Sequence, residues 1–189
     1  MNTYFDNNNS ARYLALAGFI LAAALTRLLP APDIRPWNFS PMTALALFGA
    51  AMLPGRYASM IVPVAAMLVS DIGLELLNGT GFHGLMPVIY GCFMVISLAG
   101  TQLRRFERKI LPALGFAAGG SVFFFAASNL AVWFIGYPLT MEGLIACFVA
   151  ALPFFQNSLA GDVLYTGVLF GGFDLAERGF PALAVQQRK

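Results

Sequence analysis

Long apolar runs alternate with short polar, charged or proline-rich stretches along the chain. Such runs predict transmembrane helices, because a helix needs about 20 residues to cross the hydrocarbon core of a bilayer. Turn-forming or charged residues separate the runs. The six predicted spans are residues 12–29, 40–53, 57–77, 85–103, 110–135 and 141–173.

Two of the six segments are irregular. The second is short, with Ser40 predicted as the N-cap and Pro41 as the first helical residue. We expect it either to cross with help from its flanks or to pack inside the bundle as a partial helix. The last segment is too long for one straight helix. Pro153 and the polar pair at 156–157 predict a break within it.

Composition places the chain among integral membrane proteins. Hydrophobic residues make up 59% of the 189 positions and charged residues only 11%, whereas soluble domains carry roughly 25% charged residues. The net charge of +2 gives no indication of nucleic-acid binding. Cys92 and Cys147 lie in apolar runs and form neither a disulfide framework nor a metal-ligand spacing. The predicted fold is therefore an all-α, six-helix transmembrane bundle.

The distribution of Lys and Arg predicts the orientation. Positive residues concentrate at Arg56, in the stretch 104–109 and near the C-terminus, which places both termini in the cytoplasm. Arg27 and Arg35 depart from this rule, and they either touch an anionic ligand or anchor at lipid head groups. No small-x-small cleavage site follows the first run, so we expect it to be retained. Residues 1–11 are predicted to be a disordered cytoplasmic tail, 12–175 a single transmembrane domain and 176–189 a second cytoplasmic tail.

Carboxylates inside an apolar run mark the first candidate site. Asp71 and Glu75 lie one helical turn apart on one face of the third predicted span. A charged side chain in hydrocarbon is costly and usually has a functional or pairing role. His83 and Tyr90 follow on the same side of the membrane, so the four residues are predicted to converge on an outward-facing pocket. The alternative is that Asp71 pairs with a neighbouring helix and His83 is a solvated loop residue.

A second polar set lies in the later spans. Asn129 and Trp133 share one helix face, and Asn157 and Asp162 follow the predicted break at Pro153. Interrupted membrane helices often line cavities. The alternative is that these side chains make hydrogen bonds between helices, which small polar residues do routinely in membranes.

Small residues recur every fourth position on the first span, at Gly18, Ala22 and Thr26. Such a row lets another helix approach closely, either within the bundle or from a partner protein. The chain lacks the motifs of known catalytic classes, including a second histidine and a phosphate-binding Gly-Lys-Ser/Thr loop. We therefore expect no enzymatic activity, no cofactor and no ATP hydrolysis by the chain itself.

Several short motifs together resemble a family of small bacterial membrane proteins. The matching residues are 27–30, 38–49, 70–71, 82–83, 88–90, 146–157, 161–162 and 169–171. That family is in turn similar to the S components of energy-coupling factor (ECF) vitamin transporters. The resemblance implies a six-helix protein of the bacterial inner membrane that captures a vitamin-like molecule from outside. It also implies a partner ATPase module, which would contact the stripe formed by Gly18, Ala22 and Thr26.

The resemblance extends to the solitary cobalamin-transporting S component of proteobacteria. It implies a corrinoid substrate held near Asp71 and Tyr90, with His83 replacing a thiol as the cobalt ligand. No cysteine lies in the His83 loop, which departs from that pattern. Two other functions are compatible with the residues. The chain could be a non-transporting subunit of a larger membrane complex, or an ion or proton pathway through Asp71, Glu75 and Asp162.

Overall fold

The structure, a computed structural model, describes residues 7–29, 38–53, 55, 57–107, 109–180 and 183. Within these ranges the regular structure is entirely helical. The helices are α1 (Asn7–Leu25), α2 (Met42–Met52), α3 (Ala58–Asn78), α4 (Met86–Gly100), α5 (Ile110–Gly136), α6 (Met141–Thr166) and α7 (Gly172–Gly179). Short 3-10 turns extend α1 over Thr26–Leu28 and α4 over Thr101–Arg105, and a π-helical turn, Gly167–Gly171, joins α6 to α7.

Five stretches of helix are long and apolar enough to cross a membrane. The predicted all-helical class is confirmed, and the chain has the helices that a membrane protein requires. At the ends, α1 begins at Asn7 and α7 reaches Gly179, so helix occupies part of both predicted tails. Residues 1–6, Asp33, Arg35 and Arg56 lie outside the described residues. The five stretches are Ala11–Leu28, Ala58–Asn78, Met86–Arg105, Ile110–Gly136 and Met141–Gly179.

Helix α2 lies at the centre of the bundle. Each residue from Met42 to Ala51 is buried, and α2 packs against α1, α3, α4, α5 and α6. Its 11 residues span about 16 Å at 1.5 Å per residue, roughly half of the ~30 Å hydrocarbon core. Of the two sequence-based alternatives for this segment, the structure has the partial helix packed inside the bundle.

The start of α2 differs from the prediction by one residue. Pro41 takes the cap position, Met42 is the first helical residue, and the cap residue makes no side-chain hydrogen bond. The prediction of Ser40 as the N-cap is therefore wrong. The physical reason is that a carboxylate from α6, Asp162, accepts the hydrogen bond of the Thr43 backbone amide instead, as an N-cap side chain would.

Close approach between α2 and α3 depends on Gly49. A Cβ atom at this position would lie 2.1 Å from the Cγ of Pro63, well inside van der Waals contact. Pro63 itself is buried within α3. The two helix backbones can therefore approach this closely only because position 49 lacks a side chain.

The predicted break of the last helix at Pro153 is wrong. Helix α6 runs without interruption from Met141 to Thr166 and contains Pro153. A proline removes only one helical hydrogen-bond donor, and neighbouring helices in a membrane bundle can compensate for that loss. The departure from α-helical geometry comes later, at the π-helical turn Gly167–Gly171. Such turns accommodate one extra residue within an otherwise continuous helix.

Aromatic rings attach this last region to the core. Phe48 on α2 meets the ring of Phe170 at 5.3 Å and that of Phe173 at 5.6 Å between centroids, both edge to face. Arg12 on α1 lies over the Phe173 ring and forms an ion pair with Glu177. These contacts join α7 to the beginning of α1 and to α2.

Candidate functional site

A cavity of about 680 Å³ lies at the N-terminal end of α2. The helices around α2 have between 15 and 27 residues, against 11 in α2, so they extend beyond Met42, where α2 has ended. Apolar and polar side chains both contribute to the walls. The described lining residues are Arg27, Leu29, Asn38, Ser40, Met42, Thr43, Leu74, Asn78, Thr80, Ile89, Phe93, Phe124, Ser158 and Asp162.

Asp162 forms the charged part of the cavity floor. Its Oδ1 accepts a hydrogen bond from the Thr43 backbone amide at 3.2 Å, and its Oδ2 accepts one from the Ser121 hydroxyl at 2.6 Å. The residue is only 5% exposed. A carboxylate at this position satisfies an amide that has no intrahelical partner and complements the positive end of the helix dipole.

Arg104 performs the corresponding role at the other end of α2. Its Nε donates to the Ala50 carbonyl at 2.9 Å, and its Nη2 donates to the Leu53 carbonyl at 2.8 Å. The buried half-length helix is therefore held between a carboxylate at its N-terminus and a guanidinium at its C-terminus. Backbone groups without partners in an apolar interior cost several kcal/mol, so both side chains stabilise the position of α2.

Asp71 lies in a polar cluster that reaches the cavity through Arg27. Its Oδ1 is 2.6 Å from Nη1 of Arg27, and its Oδ2 accepts a hydrogen bond from the Tyr90 hydroxyl at 2.5 Å. Arg27 also donates to the Ser70 hydroxyl. The cluster joins the end of α1 to α3 and α4. Arg27 reaches the cavity lining, whereas Asp71 is 3% exposed behind it. This arrangement corresponds to the alternative in which Asp71 pairs with a neighbouring helix.

Glu75 and His83 take other positions. Glu75 Oε2 accepts hydrogen bonds from the backbone amides of Gly81 at 2.9 Å and Phe82 at 3.2 Å, so it fixes the loop between α3 and α4. A Cβ on Gly81 would lie 1.9 Å from the Asp71 carbonyl oxygen, which shows how tightly this loop folds back. His83 is exposed and lies outside the described cavity lining. Of the four residues predicted to converge, the structure brings Asp71 and Tyr90 together.

The second predicted set is also dispersed. Asn129 donates to the Phe125 carbonyl at 2.7 Å within α5 and lines a smaller cavity of about 210 Å³ between α5 and α6. Trp133 donates to the Pro138 carbonyl at 2.9 Å near the turn that joins these helices. Asn157 is half-buried on α6, outside the described lining of both cavities. Only Asp162 of this set reaches the larger cavity.

The small-residue stripe of α1 faces outward in part. Gly18 and Ala22 are exposed, and a Cβ on Gly18 would meet no heavy atom within 4 Å. Thr26 is half-buried, and its hydroxyl donates to the Ala23 carbonyl. The described residues contain no group of three His, Cys, Asp or Glu side chains that could hold a metal ion. Both cysteines are buried.

The sequence patterns did not identify several residues of this site. Thr43, Ser121 and Ser158 are single hydroxyl residues within apolar runs, a signal too common to single out. Arg104 belongs to the basic stretch and was interpreted only as an indicator of orientation. Asn38 and Ser40 lie within the motif at 38–49 that carries the family resemblance, and membership of that motif is the signal that could have indicated them.

Comparison with known proteins gives a family and no characterised relative. A family model described as "Family of unknown function (DUF6580)" matches residues 7–183. The chain belongs to this family. No curated protein and no solved structure matches the chain.

Proposed function

We propose that this chain, as a member of that family of unknown function, is a membrane protein that binds an amphipathic small molecule in the cavity above α2. By its resemblance to ECF S components, it would capture this molecule for uptake. The observation that carries the proposal is the cavity itself: about 680 Å³, at the end of a central helix that is shorter than its neighbours.

The size and lining of the cavity support small-molecule binding. Ligand pockets typically have volumes of about 300–1,000 Å³, mostly apolar walls and a few convergent polar groups. Here Phe93 and Phe124 contribute to apolar walls, while Asn38, Ser40 and Ser158 offer amide and hydroxyl groups. Such a surface suits a molecule with an apolar body and several hydrogen-bonding substituents, which is the chemistry of many vitamins.

The charged groups of the lining limit the class of ligand that we propose for the cavity. The Arg27 charge is matched by Asp71 at 2.6 Å, and Asp162 is the acidic residue among the described residues of the lining. Half-helix N-termini in transporters often bind anionic groups, but here Asp162 already accepts the Thr43 amide. The amide that would bind an anionic group of a ligand is therefore already satisfied. We therefore propose a neutral or cationic ligand.

The corrinoid prediction gains no support from this geometry. His83, the proposed cobalt ligand, is exposed on the loop between α3 and α4 and lies outside the described cavity lining. A vitamin-like ligand smaller than a corrinoid fits the cavity volume better. The exposed Gly18 and Ala22 on α1 leave room for an ATPase module to dock, and this partner remains part of the proposal.

The two other functions are less well supported. A purely structural subunit explains the Asp71, Arg27 and Tyr90 cluster, but it does not require a mixed polar and apolar cavity of this size. An ion pathway through Asp71, Glu75 and Asp162 would need these carboxylates to be accessible. Instead, Asp71 is paired with Arg27 and Glu75 is bonded to the loop.

Ligand-dependent thermal stability tests the proposal. The full chain is purified in detergent, any retained molecule is identified by mass spectrometry, and a panel of neutral, cationic and anionic vitamins is screened for a rise in Tm. Binding must stabilise the folded state by mass action, by ~2.7 kcal/mol at a ligand concentration 100 times Kd. Absence of both retained ligand and any Tm shift contradicts the proposal.

Two adjacent residues on α6 provide a matched pair of variants. Ser158 lines the cavity and Asn157 does not. Ser158→Phe fills the cavity and is expected to abolish the ligand-induced Tm shift, whereas Asn157→Phe adds a similar ring at the next position and should leave the shift in place. Equal responses of the two variants would place the ligand elsewhere.

A further inference from the structure

A second, apolar groove lies between α4 and α5, apart from the cavity above α2. Its volume is about 610 Å³, and its floor reaches Leu47 on the central helix. Gly115 and Gly119 on α5 are exposed there, and a Cβ on either would meet no heavy atom within 4 Å. The groove exists because glycines occupy positions where larger side chains would fill the space between the two helices. The remaining lining residues are Val95, Ile96, Ala99, Phe106, Pro112, Phe116, Gly120 and Phe123.

The length of the groove matches one leaflet of a bilayer. Along α5 it extends from Pro112 to Phe123, about 17 Å at 1.5 Å per residue. This is roughly half of the ~30 Å hydrocarbon core. A transmembrane helix of a partner protein would be expected to contact a surface along the full thickness, whereas a lipid acyl chain occupies a single leaflet.

Positive charge lies in the chain beside the Phe106 end of the groove. Phe106 forms part of the lining, and its neighbour Arg105 is exposed. Lys109 immediately precedes α5, three residues before Pro112. Glu107 is the one acidic residue in the stretch 104–109. Arg104 of the same stretch donates hydrogen bonds to carbonyls of α2. Arg105 and Lys109 thus give this end a positive potential where the head group of a lipid would lie.

We propose that this groove, defined by α4, α5 and Leu47, binds one phospholipid with an anionic head group. The acyl chain lies in the groove, and Arg105 and Lys109 attract the phosphate and its anionic head group. Basic pockets between transmembrane helices bind anionic lipids in this way. The site does not depend on the proposed ligand of the larger cavity.

Lipid retention tests the site directly. The full chain is incorporated into vesicles of equal parts phosphatidylglycerol and phosphatidylcholine, extracted in mild detergent, and its retained lipids are counted by native mass spectrometry. We expect one tightly retained phosphatidylglycerol in the wild-type chain. Retention of both lipids in equal amounts, or of neither, overturns the proposal.

Two matched comparisons distinguish the contribution of the groove to lipid binding from that of the positive charge. Gly119→Leu fills the groove and should remove the retained lipid, whereas Gly18→Leu adds the same atoms to an exposed site on α1 and should not. If Gly119→Leu does not fold, Gly115→Leu fills the same groove one turn away. The proposal is overturned if filling the groove leaves the amount of retained lipid unchanged. It is also overturned if filling the groove releases a stoichiometric partner protein instead of a lipid.

The charge comparison uses a double variant. Arg105→Gln with Lys109→Gln should lower the preference for phosphatidylglycerol over phosphatidylcholine by about fivefold for each charge removed. Arg178→Gln, which removes an exposed positive charge on α7, should leave the preference unchanged. An unchanged preference in the double variant contradicts the assignment of the head group to Arg105 and Lys109.

Discussion

Asp162 on α6 and Thr43 on α2 are 119 positions apart in the chain, yet the Asp162 carboxylate lies 3.2 Å from the Thr43 backbone nitrogen. This bond places a charge from one helix on the N-terminus of another, at the floor of the larger cavity. The same carboxylate thus closes the end of a buried helix and contributes to the proposed binding surface. A ligand in the cavity would meet a helix terminus that is already neutralised.

Replacement of Asp162 tests its role at the N-terminus of α2 and on the floor of the cavity. Asp162→Leu removes the acceptor for the Thr43 amide, and a buried group left without a partner costs about 1–3 kcal/mol. The Ser121 hydroxyl keeps the Ala117 carbonyl as an acceptor. Asp162→Asn keeps an acceptor oxygen and should lose less stability. The stability of both variants is measured as Tm in detergent. Asp174→Asn, on the partly exposed pair with Arg178, is the control and should change the stability by less than ~0.5 kcal/mol.

A wild-type Tm for Asp162→Leu would contradict the role of Asp162 as the cap of α2. Equal losses for the Leu and Asn variants would indicate that the negative charge, and not the hydrogen-bond acceptor, supplies most of the stabilisation.

Arg104 and its neighbour Arg105 should respond differently to the same substitution. Arg104→Gln breaks hydrogen bonds to the carbonyls of Ala50 and Leu53, and a hydrogen bond to a charged group contributes about 1.5–3 kcal/mol. Arg105 is exposed, so Arg105→Gln should change the free energy of unfolding by less than ~0.5 kcal/mol in detergent without added lipid. Denaturant unfolding measures both variants. Equal effects would mean that charge, and not the capping of α2, determines stability here.

Arg27 and Asp71 should behave as a coupled pair. Asp71→Asn breaks the ion pair with Arg27, and breaking a buried ion pair costs about 3–5 kcal/mol. Arg27→Met should be comparably destabilising. The double variant should lose much less than the sum of the two, because no uncompensated charge remains.

A double-mutant cycle of Tm or unfolding free energy measures this coupling. The exposed pair of Asp174 and Arg178, spaced one helical turn apart, is the matched control, for which about 0.3–0.5 kcal/mol is expected. Additive effects of Arg27→Met and Asp71→Asn would show that the pair does not hold α1 against α3.

His83 provides a test of the corrinoid prediction. His83→Ala should leave ligand retention and Tm unchanged, since the exposed side chain lies outside the described cavity lining. If the imidazole were a cobalt ligand, the substitution would shift the visible absorption spectrum of a bound corrinoid and weaken its retention. His83→Gln, which keeps a polar side chain, serves as the second variant. A spectral shift in both variants would support a corrinoid as the ligand.

The helices were predictable because their signal is local. The apolar runs and the residues that interrupt them predicted the four middle helices to within a few positions, as with α3 at Ala58–Asn78 against the predicted 57–77. By contrast, α1 begins at Asn7 against the predicted 12, and α6 ends at Thr166 against the predicted 173. Pro153 was misleading, because the cost of one lost hydrogen bond depends on the surrounding helices, which sequence spacing does not contain. The π-helical turn at Gly167–Gly171 has no comparably clear sequence signal.

The candidate site was predicted only in part. Asp71 and Tyr90 do meet, since they lie on consecutive helices joined by a short loop, which constrains their separation. Glu75 and His83 lie close by in sequence, but the fold of the loop turns Glu75 toward the Gly81 and Phe82 amides. Arg27 joins Asp71 from a position 44 residues earlier in the chain, and nothing in the spacing of residues indicated that partner.

Hydrophobicity and segment length act residue by residue, so they were enough to predict an all-helical chain with helices long and apolar enough to cross a membrane. The polar residues that share a site could be identified only from the packing of the helices against one another. Helix α2 is shorter than its neighbours and buried on all sides, so its ends must be satisfied by side chains from distant helices. Asp162 and Arg104 occupy those ends, and the volume that α2 leaves empty becomes the cavity.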